Sequence, residues 1–224
     1  MNVQEATTRR LPDLKERHLP ENCRETINTI LKETYGYEQF RNLEIYDDLS
    51  KGKEKLCISQ GQLIENVILE AEKAWKGETQ VDNILLTAPT GSGKSLLFQL
   101  PAIYLGKEYN LLTIVVSPLK ALIVDQVESL QELGYTRVAY ASSDLSPEQK
   151  MEVYRQVREG EIDLFYLSPE LLLSYDIKHF VGERRIGLVV VDEAHTVTTW
   201  GKEFRVDYWF LGRYLNTLKQ TLGY

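Results

Sequence analysis

The residues of this chain that are best suited to chemistry lie in a glycine-rich loop that ends in a lysine and a serine. The loop reads Ala88-Pro89-Thr90-Gly91-Ser92-Gly93-Lys94-Ser95, and an apolar run follows it. Glycines let backbone amides turn inward around phosphate oxygens, and the N-terminus of a following helix adds partial positive charge. We expect Thr90 to Gly93 to cradle phosphates, Lys94 to reach the β and γ oxygens, and Ser95 to ligate Mg²⁺. The loop therefore predicts binding of ATP with Mg²⁺, the alternative being a glycine turn with a surface lysine.

A second set of candidate residues is the acidic pair that follows three valines. Asp192 and Glu193 come directly after Val189-Val190-Val191, and adjacent carboxylates at the end of a buried strand repel each other unless a cation is present. Mg²⁺ resolves this conflict if Asp192 holds it from the side opposite to Ser95 and Glu193 acts as general base toward the attacking water. His195, two residues after Glu193, would couple the γ-phosphate to neighbouring motifs; a lone histidine is otherwise more often structural.

The elements that must position these residues follow an alternating pattern from about residue 82 onward. Short β-branched runs alternate with amphipathic stretches, which predicts a parallel sheet with crossover helices. Both ATP motifs would lie at the carboxyl ends of strands that can be neighbours, where doubly wound sheets bind nucleotides. We therefore predict an α/β fold, a doubly wound parallel sheet flanked by helices, over residues 81–224. The predicted strands are 84–88, 113–117, 137–141, 163–168 and 187–192, and the predicted helices are 94–105, 120–133 and 147–159.

The first part of the chain has a different pattern. Helical patterns near 22–35 and 60–76 flank the polar stretch 42–55, which we expect to be a loop or an insertion. Residues 1–80 are therefore predicted to form a helical N-terminal extension, with an extended or poorly ordered arm over the first 20 residues.

Composition excludes several classes of protein. The chain has 43% hydrophobic and 26% charged residues, and no apolar run approaches the ~18 residues of a membrane span. A net charge of -7 argues against a broadly basic surface that coats nucleic acid, although a local basic groove remains open. Cys23 and Cys57 lack the spacing of a zinc site or a disulfide framework. Without an apolar N-terminal signal, we expect an intracellular protein, cytoplasmic if bacterial and nuclear if eukaryotic.

Further motifs indicate a family. The segments are Gln99-Leu100-Pro101-Ala102, Val116-Ser117-Pro118-Leu119 followed by Asp125-Gln126-Val127, and Tyr166-Leu167-Ser168-Pro169-Glu170. With the ATP motifs, they resemble superfamily 2 helicases of the DEAH type, and RecQ-like DNA helicases in particular, over about residues 31–215. The resemblance implies a RecA-like first motor lobe that uses ATP and Mg²⁺. It also assigns DNA contacts to Ser117, Pro118 and Ser168.

The most specific part of the resemblance is an aromatic string. The chain reads Trp200-Gly201-Lys202-Glu203-Phe204-Arg205-Val206-Asp207-Tyr208, similar to the loop with which RecQ-like helicases sense single-stranded DNA. Trp200 and Phe204 can stack on bases, and Arg205 can meet phosphate. A core cluster against the final helix is the alternative, which we favour only for Trp209 and Phe210. An unrelated phosphate-loop kinase leaves this string unexplained.

Adenine recognition is a weaker part of the resemblance. The stretch from Leu31 to Arg41 is similar to the family segment in which an aromatic residue and an arginine sandwich the base, here Tyr37 and Arg41. The family's base-reading glutamine follows closely, but its position here holds Glu44. Either residues have been inserted between Arg41 and the glutamine, which would then be Gln62, or Gln62 is not the base reader. We prefer the insertion.

The leading hypothesis is the first motor lobe of an ATP-dependent DNA helicase that moves 3′ to 5′, as the resemblance implies. Such a motor closes its ATP site between two lobes, and no second set of motifs follows. We therefore expect a lobe inactive in unwinding on its own, completed by a second helicase lobe in the same or another chain and acting on single-stranded or partly duplex DNA. The alternative is a nucleotide-gated DNA-binding module or scaffold subunit completed by a separate partner chain.

Overall fold

A computed structural model describes residues 19–46, 55–78, 80–86, 91–194, 211–215 and 217. Within these ranges, helices and strands alternate along most of the chain. Thr90, His195, Trp200, Phe204 and Arg205 lie outside the described residues. The elements are α1 Glu25–Tyr35, β1 Asn42–Tyr46, β2 Lys55–Ser59, α2 Gln60–Trp75, α3 Leu96–Tyr109, β3 Leu112–Val116, α4 Lys120–Glu132, β4 Val138–Ala141, α5 Pro147–Arg158, β5 Leu164–Leu167, α6 Pro169–Ser174, α7 Ile177–Val181 and β6 Ile186–Val191.

The centre of the fold is a four-stranded sheet with the order β4-β5-β3-β6. Each neighbouring pair in it is parallel. Every residue of the central strands β3 and β5 is buried, as expected when helices cover both faces of a parallel sheet. The α/β prediction is confirmed.

Apolar side chains divide between the two faces of the sheet. Along β3, Val115 joins the core on one face, while Ile114 and Val116 join the core on the other, because successive side chains of a strand point to opposite sides. The first core receives residues of α1, α2, α3 and α4, and the second receives residues of α5, α6 and α7. The helices of the N-terminal region therefore share one core with α3.

An ion-pair network anchors the beginning of α1 to this core. The Arg24 guanidinium contacts Glu65 and Glu72 of α2, each at 2.6 Å, and donates to the hydroxyl of Tyr104 on α3. Glu72 also accepts from the Tyr109 hydroxyl at 2.9 Å. Although burial opposes ionisation, the hydrogen bonds from Arg24 and the two tyrosines keep the pKa of Glu72 below its usual value. This network fastens the N-terminal region to the sheet domain.

Helix α5 begins where the sequence predicts, and a capping box explains why. Ser146 accepts a hydrogen bond from the Gln149 amide at 3.2 Å, and the Gln149 side chain accepts from the Ser146 amide at 2.8 Å. This reciprocal capping begins α5 at Pro147, as predicted. In the part of the chain that is described, no helix has the length and apolar character needed to cross a membrane.

Two segments differ from the sequence prediction. Residues 84–86 do not form a strand. This apolar segment and β6 line opposite parts of one cavity, so the segment does not pair with the free edge of β6, and Leu85 is 69% exposed. The polar stretch 42–55 includes antiparallel pairing, since β1 and β2 form a hairpin with Asn42 opposite Ser59. Side-chain polarity concealed this hairpin, because ladder hydrogen bonds use the backbone.

Candidate nucleotide site

The phosphate loop leads directly into α3. Gly91 and Gly93 have φ angles of +80° and +77°, a left-handed conformation that side chains rarely adopt. The amide of Leu96 donates to the Gly93 carbonyl at 3.1 Å, and the amide of Leu97 donates to the Lys94 carbonyl at 3.0 Å. The helical turn therefore begins within the loop, which places Lys94 and Ser95 at the N-terminus of α3, where anions bind.

Gln60, which the sequence did not indicate as a site residue, contacts this loop through its side chain. Its side chain is buried, donates to the Ser92 carbonyl at 2.9 Å and accepts from the Arg41 amide at 3.1 Å. A Cβ atom at Gly93 would lie 2.7 Å from the Gln60 amide nitrogen, so a side chain there would displace the Gln60 amide, and the positive φ angle of Gly93 also favours glycine. Gln60 thus connects the loop to the segment of the predicted adenine site.

The side chain of Gln62 makes local hydrogen bonds instead of contacting the loop. Its side-chain oxygen accepts from the Ser59 amide at 3.1 Å, which completes a capping box at the start of α2, and its nitrogen donates to the Pro20 carbonyl at 3.1 Å. Both ends of the Gln62 amide therefore take part in local structure. The glutamine that contacts the loop is Gln60, and the sequence signal that could have found it is its place as the first residue of α2.

Tyr37 and Arg41, the other predicted adenine residues, lie at the surface, and Arg41 contacts Gln60. Tyr37 is 50% exposed and stacks on Tyr35, with ring centroids 6.2 Å apart. Arg41 is exposed, and its carbonyl accepts from the Gln60 amide at 2.9 Å. β1 begins directly after Arg41, and β2 ends directly before Gln60. The paired strands β1 and β2 are therefore flanked by two residues that are hydrogen-bonded to each other.

Asp192 lies at the carboxyl edge of the sheet. Its amide donates to the Val116 carbonyl at 2.9 Å, and the Ser117 amide donates to the Leu167 carbonyl at 3.0 Å. Because Val116 is opposite both Val191 and Leu167 in the sheet, the residues that follow these three strands share one edge. The parallel register thereby brings Asp192, Ser117 and Ser168 to the same side of the molecule.

The surroundings of Asp192 disfavour its charge. Burial is the main cause of a raised pKa for this carboxyl, and the neighbouring Glu193 adds to it. The Glu193 amide, which donates to Asp192 Oδ1 at 2.9 Å, and the charge of Lys94 act in the opposite direction. Glu193 has a φ angle of +50°, a costly conformation for a residue with a side chain. Strain and an unfavourable charge therefore coincide at the two predicted catalytic acids.

Lys94, Asp192 and Glu193 line a common cavity of about 890 Å³. The wall of this cavity also includes the extended segment 81–86 and the outer side of β6. The structure thus brings the loop lysine and the acidic pair together. The sequence predicts that they follow two adjacent strands, whereas in the structure they line a cavity.

The residues present fit Mg²⁺ and a phosphate group. The hydroxyl of Ser95 and the carboxylate of Asp192 are oxygen donors, which Mg²⁺ prefers, and a nucleotide-bound Mg²⁺ needs only one or two protein ligands. The hydroxyl of Ser92 is buried and has no hydrogen-bond partner among the described residues. An anion held by the loop would satisfy such a group. Ser95 and Asp192 would hold the metal.

The residues predicted to meet DNA are less accessible than the sequence suggested. Ser117 and Pro118 are buried. Ser168 is buried too, and its hydroxyl accepts from the Leu171 amide at 3.3 Å as the cap of α6. Directly after Pro118, Leu119 and Lys120 are exposed, and Lys120 is paired with Asp144 at 2.8 Å. Sequence reasoning missed Lys120, although it is the basic residue next to the motif.

Comparisons with known proteins agree with this geometry. A family model described as "DEAD/DEAH box helicase" matches residues 62–223. The ATP-dependent DNA helicase RecQ of Haemophilus influenzae is 30% identical, with 84% of this chain and 25% of the relative covered. The protein of the same name from Synechocystis sp. is 33% identical, with 89% and 35% covered. The chain thus spans about a quarter to a third of the length of these curated relatives.

Solved structures similar to this chain include a DUF1998 helicase, MrfA, bound to DNA. The TM-score is 0.48 at 22% identity, with 80% of this chain and 21% of that chain covered. The match to the family model includes most of α2 and the whole of the sheet domain. The resemblance to RecQ-like helicases that the motifs indicated is confirmed, and the chain belongs to the DEAD/DEAH box helicase family.

Proposed function

We propose that this chain is the ATP-binding first motor lobe of an ATP-dependent DNA helicase of RecQ type that moves 3′ to 5′. The observation that carries the proposal is the shared cavity of Lys94, Asp192 and Glu193 beside a left-handed glycine loop. A nucleoside triphosphate with its metal ion requires a cationic side chain for the phosphates and carboxylates for the metal and the attacking water.

In this proposal each residue has a definite task. Lys94 contacts the β and γ phosphates, and the loop amides from Thr90 to Ser95 surround them. Ser95 and Asp192 hold Mg²⁺, which when bound neutralises charge on the phosphates. Glu193 takes the proton of the attacking water, and His195 couples the γ-phosphate to neighbouring motifs. The ionised form of Asp192, which is unfavourable in the chain alone, becomes favourable beside a cation.

The base and DNA contacts complete the proposal. Tyr37 and Arg41 hold the adenine, with Gln60 connecting them to the phosphate loop. Single-stranded or partly duplex DNA lies along the carboxyl edge, where Lys120 is exposed, and stacks on Trp200 and Phe204 while Arg205 meets phosphate. The similarity to proteins named ATP-dependent DNA helicase RecQ supports DNA as the nucleic acid that is bound. A second lobe supplies the remaining groups of the ATP site.

The experiment that tests nucleotide binding uses Lys94→Ala in this chain. We expect the affinity for a fluorescent, non-hydrolysable ATP analogue with Mg²⁺ to fall at least about 100-fold, because the main cation for the phosphates is lost. Lys107→Ala is a matched control, since Lys107 is an exposed lysine in the last turn of α3, the helix that follows the loop. Fluorescence anisotropy measures the affinity of each variant for the analogue. Wild-type affinity in Lys94→Ala would contradict the assignment of the loop.

Hydrolysis separates the motor from the alternative. When a second lobe is present, Glu193→Gln should abolish DNA-stimulated ATP hydrolysis while leaving nucleotide binding intact, because only the general base is removed. Tight nucleotide binding without hydrolysis by the wild-type protein, even with a second lobe supplied, would favour the nucleotide-gated binding subunit instead.

A further inference from the structure

A chain of side-chain hydrogen bonds ends on the hydroxyl of Ser95. The amide nitrogen of Gln126 donates to Ser95 Oγ at 2.9 Å, and the amide nitrogen of Gln99 donates to Gln126 Oε1 at 2.8 Å. Gln99 also donates to the Tyr166 hydroxyl at 3.1 Å and accepts from the Tyr35 hydroxyl at 3.0 Å. The Tyr166 hydroxyl donates to Gln126 Oε1 at 3.4 Å. We call these five residues the amide chain.

The amide chain is a tertiary feature. Its members come from α1, the phosphate loop, α3, α4 and β5. Gln99 is 5% exposed and Tyr166 is 1% exposed, and buried amides are costly unless their donors and acceptors are bonded. Both ends of the Gln99 side chain have partners, so it is held in one orientation. Gln99 therefore fixes the side chain of Gln126.

The bond between Gln126 and Ser95 has a consequence for metal binding. A serine oxygen has two lone pairs, and the hydroxyl rotates freely unless a partner fixes it. The Gln126 amide engages one lone pair and so holds the hydroxyl in one orientation. The other lone pair stays available for a metal ion. Groups that orient a metal ligand in this way commonly raise metal affinity.

We propose that Gln126 is a positioning residue of the ATP site, which holds the Ser95 hydroxyl in the orientation that ligates Mg²⁺, and that Gln99 and Tyr166 hold Gln126. This inference rests on the proposed function, because it requires Ser95 to be a metal ligand. It also connects the ATP site to α4. That helix begins at Lys120, directly after residues 117–119 at the carboxyl edge, so a shift of α4 moves the partner of Ser95.

The test measures Mg²⁺-dependent nucleotide binding by this chain, with the same fluorescent analogue as above. In Gln126→Met, affinity in EDTA should stay at the wild-type value. The tightening that Mg²⁺ produces should fall about 5- to 10-fold, the equivalent of one hydrogen bond, and the half-saturating Mg²⁺ concentration should rise by the same factor. Gln131→Met is the matched control, because Gln131 is an exposed glutamine of the same helix. It should behave as wild type.

A double-mutant cycle with Ser95→Ala shows whether Gln126 acts through Ser95. In the Ser95→Ala background, Gln126→Met should change the Mg²⁺-dependent tightening no further, because the group that it positions is absent. Gln99→Met, one bond further away, should weaken the tightening about 2- to 3-fold. An undiminished effect of Gln126→Met without the Ser95 hydroxyl would overturn the inference, as would full tightening in Gln126→Met.

Two further outcomes separate the inference from the proposed function. Thermal unfolding of the nucleotide-free variants shows whether they fold, and if Gln126→Met does not, Gln126→Asn replaces it, since it keeps the amide but withdraws it from Ser95. If Mg²⁺ does not tighten nucleotide binding even in the wild-type chain, the proposed function fails, and the inference with it. If Mg²⁺ tightens nucleotide binding equally in the wild-type chain and in Gln126→Asn, the inference alone fails.

Discussion

Two buried polar clusters contact β5 or the residue that precedes it, and they are built from different chemistry. At the amino edge, Asp163 is fully buried and accepts hydrogen bonds from Arg137 at 2.6 and 2.8 Å, from Arg184 at 3.0 Å and from the Tyr135 hydroxyl at 3.1 Å. At the carboxyl side, the amide chain joins neutral glutamines and hydroxyls to Ser95. We call the first group the Asp163 cluster.

This difference indicates a division of labour. In the Asp163 cluster the bonds are charge-assisted, which makes them strong and geometrically fixed. Asp163 raises the pKa of Arg137 by hydrogen bonding, whereas burial lowers the pKa of Arg184. Neutral amides and hydroxyls form weaker bonds and exchange partners at a smaller cost. We infer that the amino edge holds strands together and that the carboxyl side can respond to a ligand.

The largest effect that would test this comparison is expected from Asp163→Ala. Removing the carboxylate leaves the buried Arg184 without its main partner, so we expect a loss of about 3–5 kcal/mol in the free energy of unfolding. Urea unfolding measures it. The exposed acid Asp144 offers a control, for which Asp144→Ala should lower the free energy of unfolding far less, because water screens its ion pair with Lys120. A loss below about 1 kcal/mol for Asp163→Ala would remove the Asp163 cluster as the source of stability.

A matched pair of tyrosine variants sharpens the comparison. Tyr135→Phe removes one donor to the Asp163 carboxylate and should cost about 1.5–3 kcal/mol, as for a hydrogen bond to a charged group. Tyr166→Phe removes a hydroxyl from the amide chain, where Gln99 and Gln126 remain bonded to each other, and should cost about 1 kcal/mol or less. Both are buried tyrosines, so urea unfolding compares the loss of one buried hydroxyl at each site. Equal losses would argue against the division of labour.

The smallest effect, and one of opposite sign, is expected from Asp192→Asn. The folded pKa of Asp192 is raised above its unfolded value of 3.8, so the ionised carboxylate destabilises the nucleotide-free chain at neutral pH. A neutral amide of similar shape should stabilise the chain by about 0.5–1 kcal/mol. This gain should disappear below pH 3.8, where Asp192 is protonated in the folded and unfolded states alike.

Thermal unfolding at several pH values measures that gain. The same variant should lose the Mg²⁺-dependent tightening of nucleotide binding, because the carboxylate ligand is absent. A destabilised Asp192→Asn chain at neutral pH would show instead that Asp192 is a structural partner at the carboxyl edge.

The amino-acid sequence by itself determined the features that depend on a few neighbouring residues. The glycines beside Lys94 predict a left-handed loop at the start of a helix, and the spacing of Ser146 and Gln149 predicts a capping box. The valines before Asp192 predict a strand with an acidic end, and β6 does end at Val191, although its valines are only partly buried rather than buried as predicted. Each of these signals acts within about one helical turn or one strand, so it can be read without knowing the partner.

Only the tertiary structure decided the features that depend on distant partners. It brought Gln60 rather than Gln62 to the phosphate loop, left residues 84–86 without a ladder and buried Ser117. It also placed Gln126 against Ser95. The physical reason is that a hydrogen-bonding group has the same chemistry in every sequence context, while the partner that satisfies it is chosen by how the helices pack on the sheet.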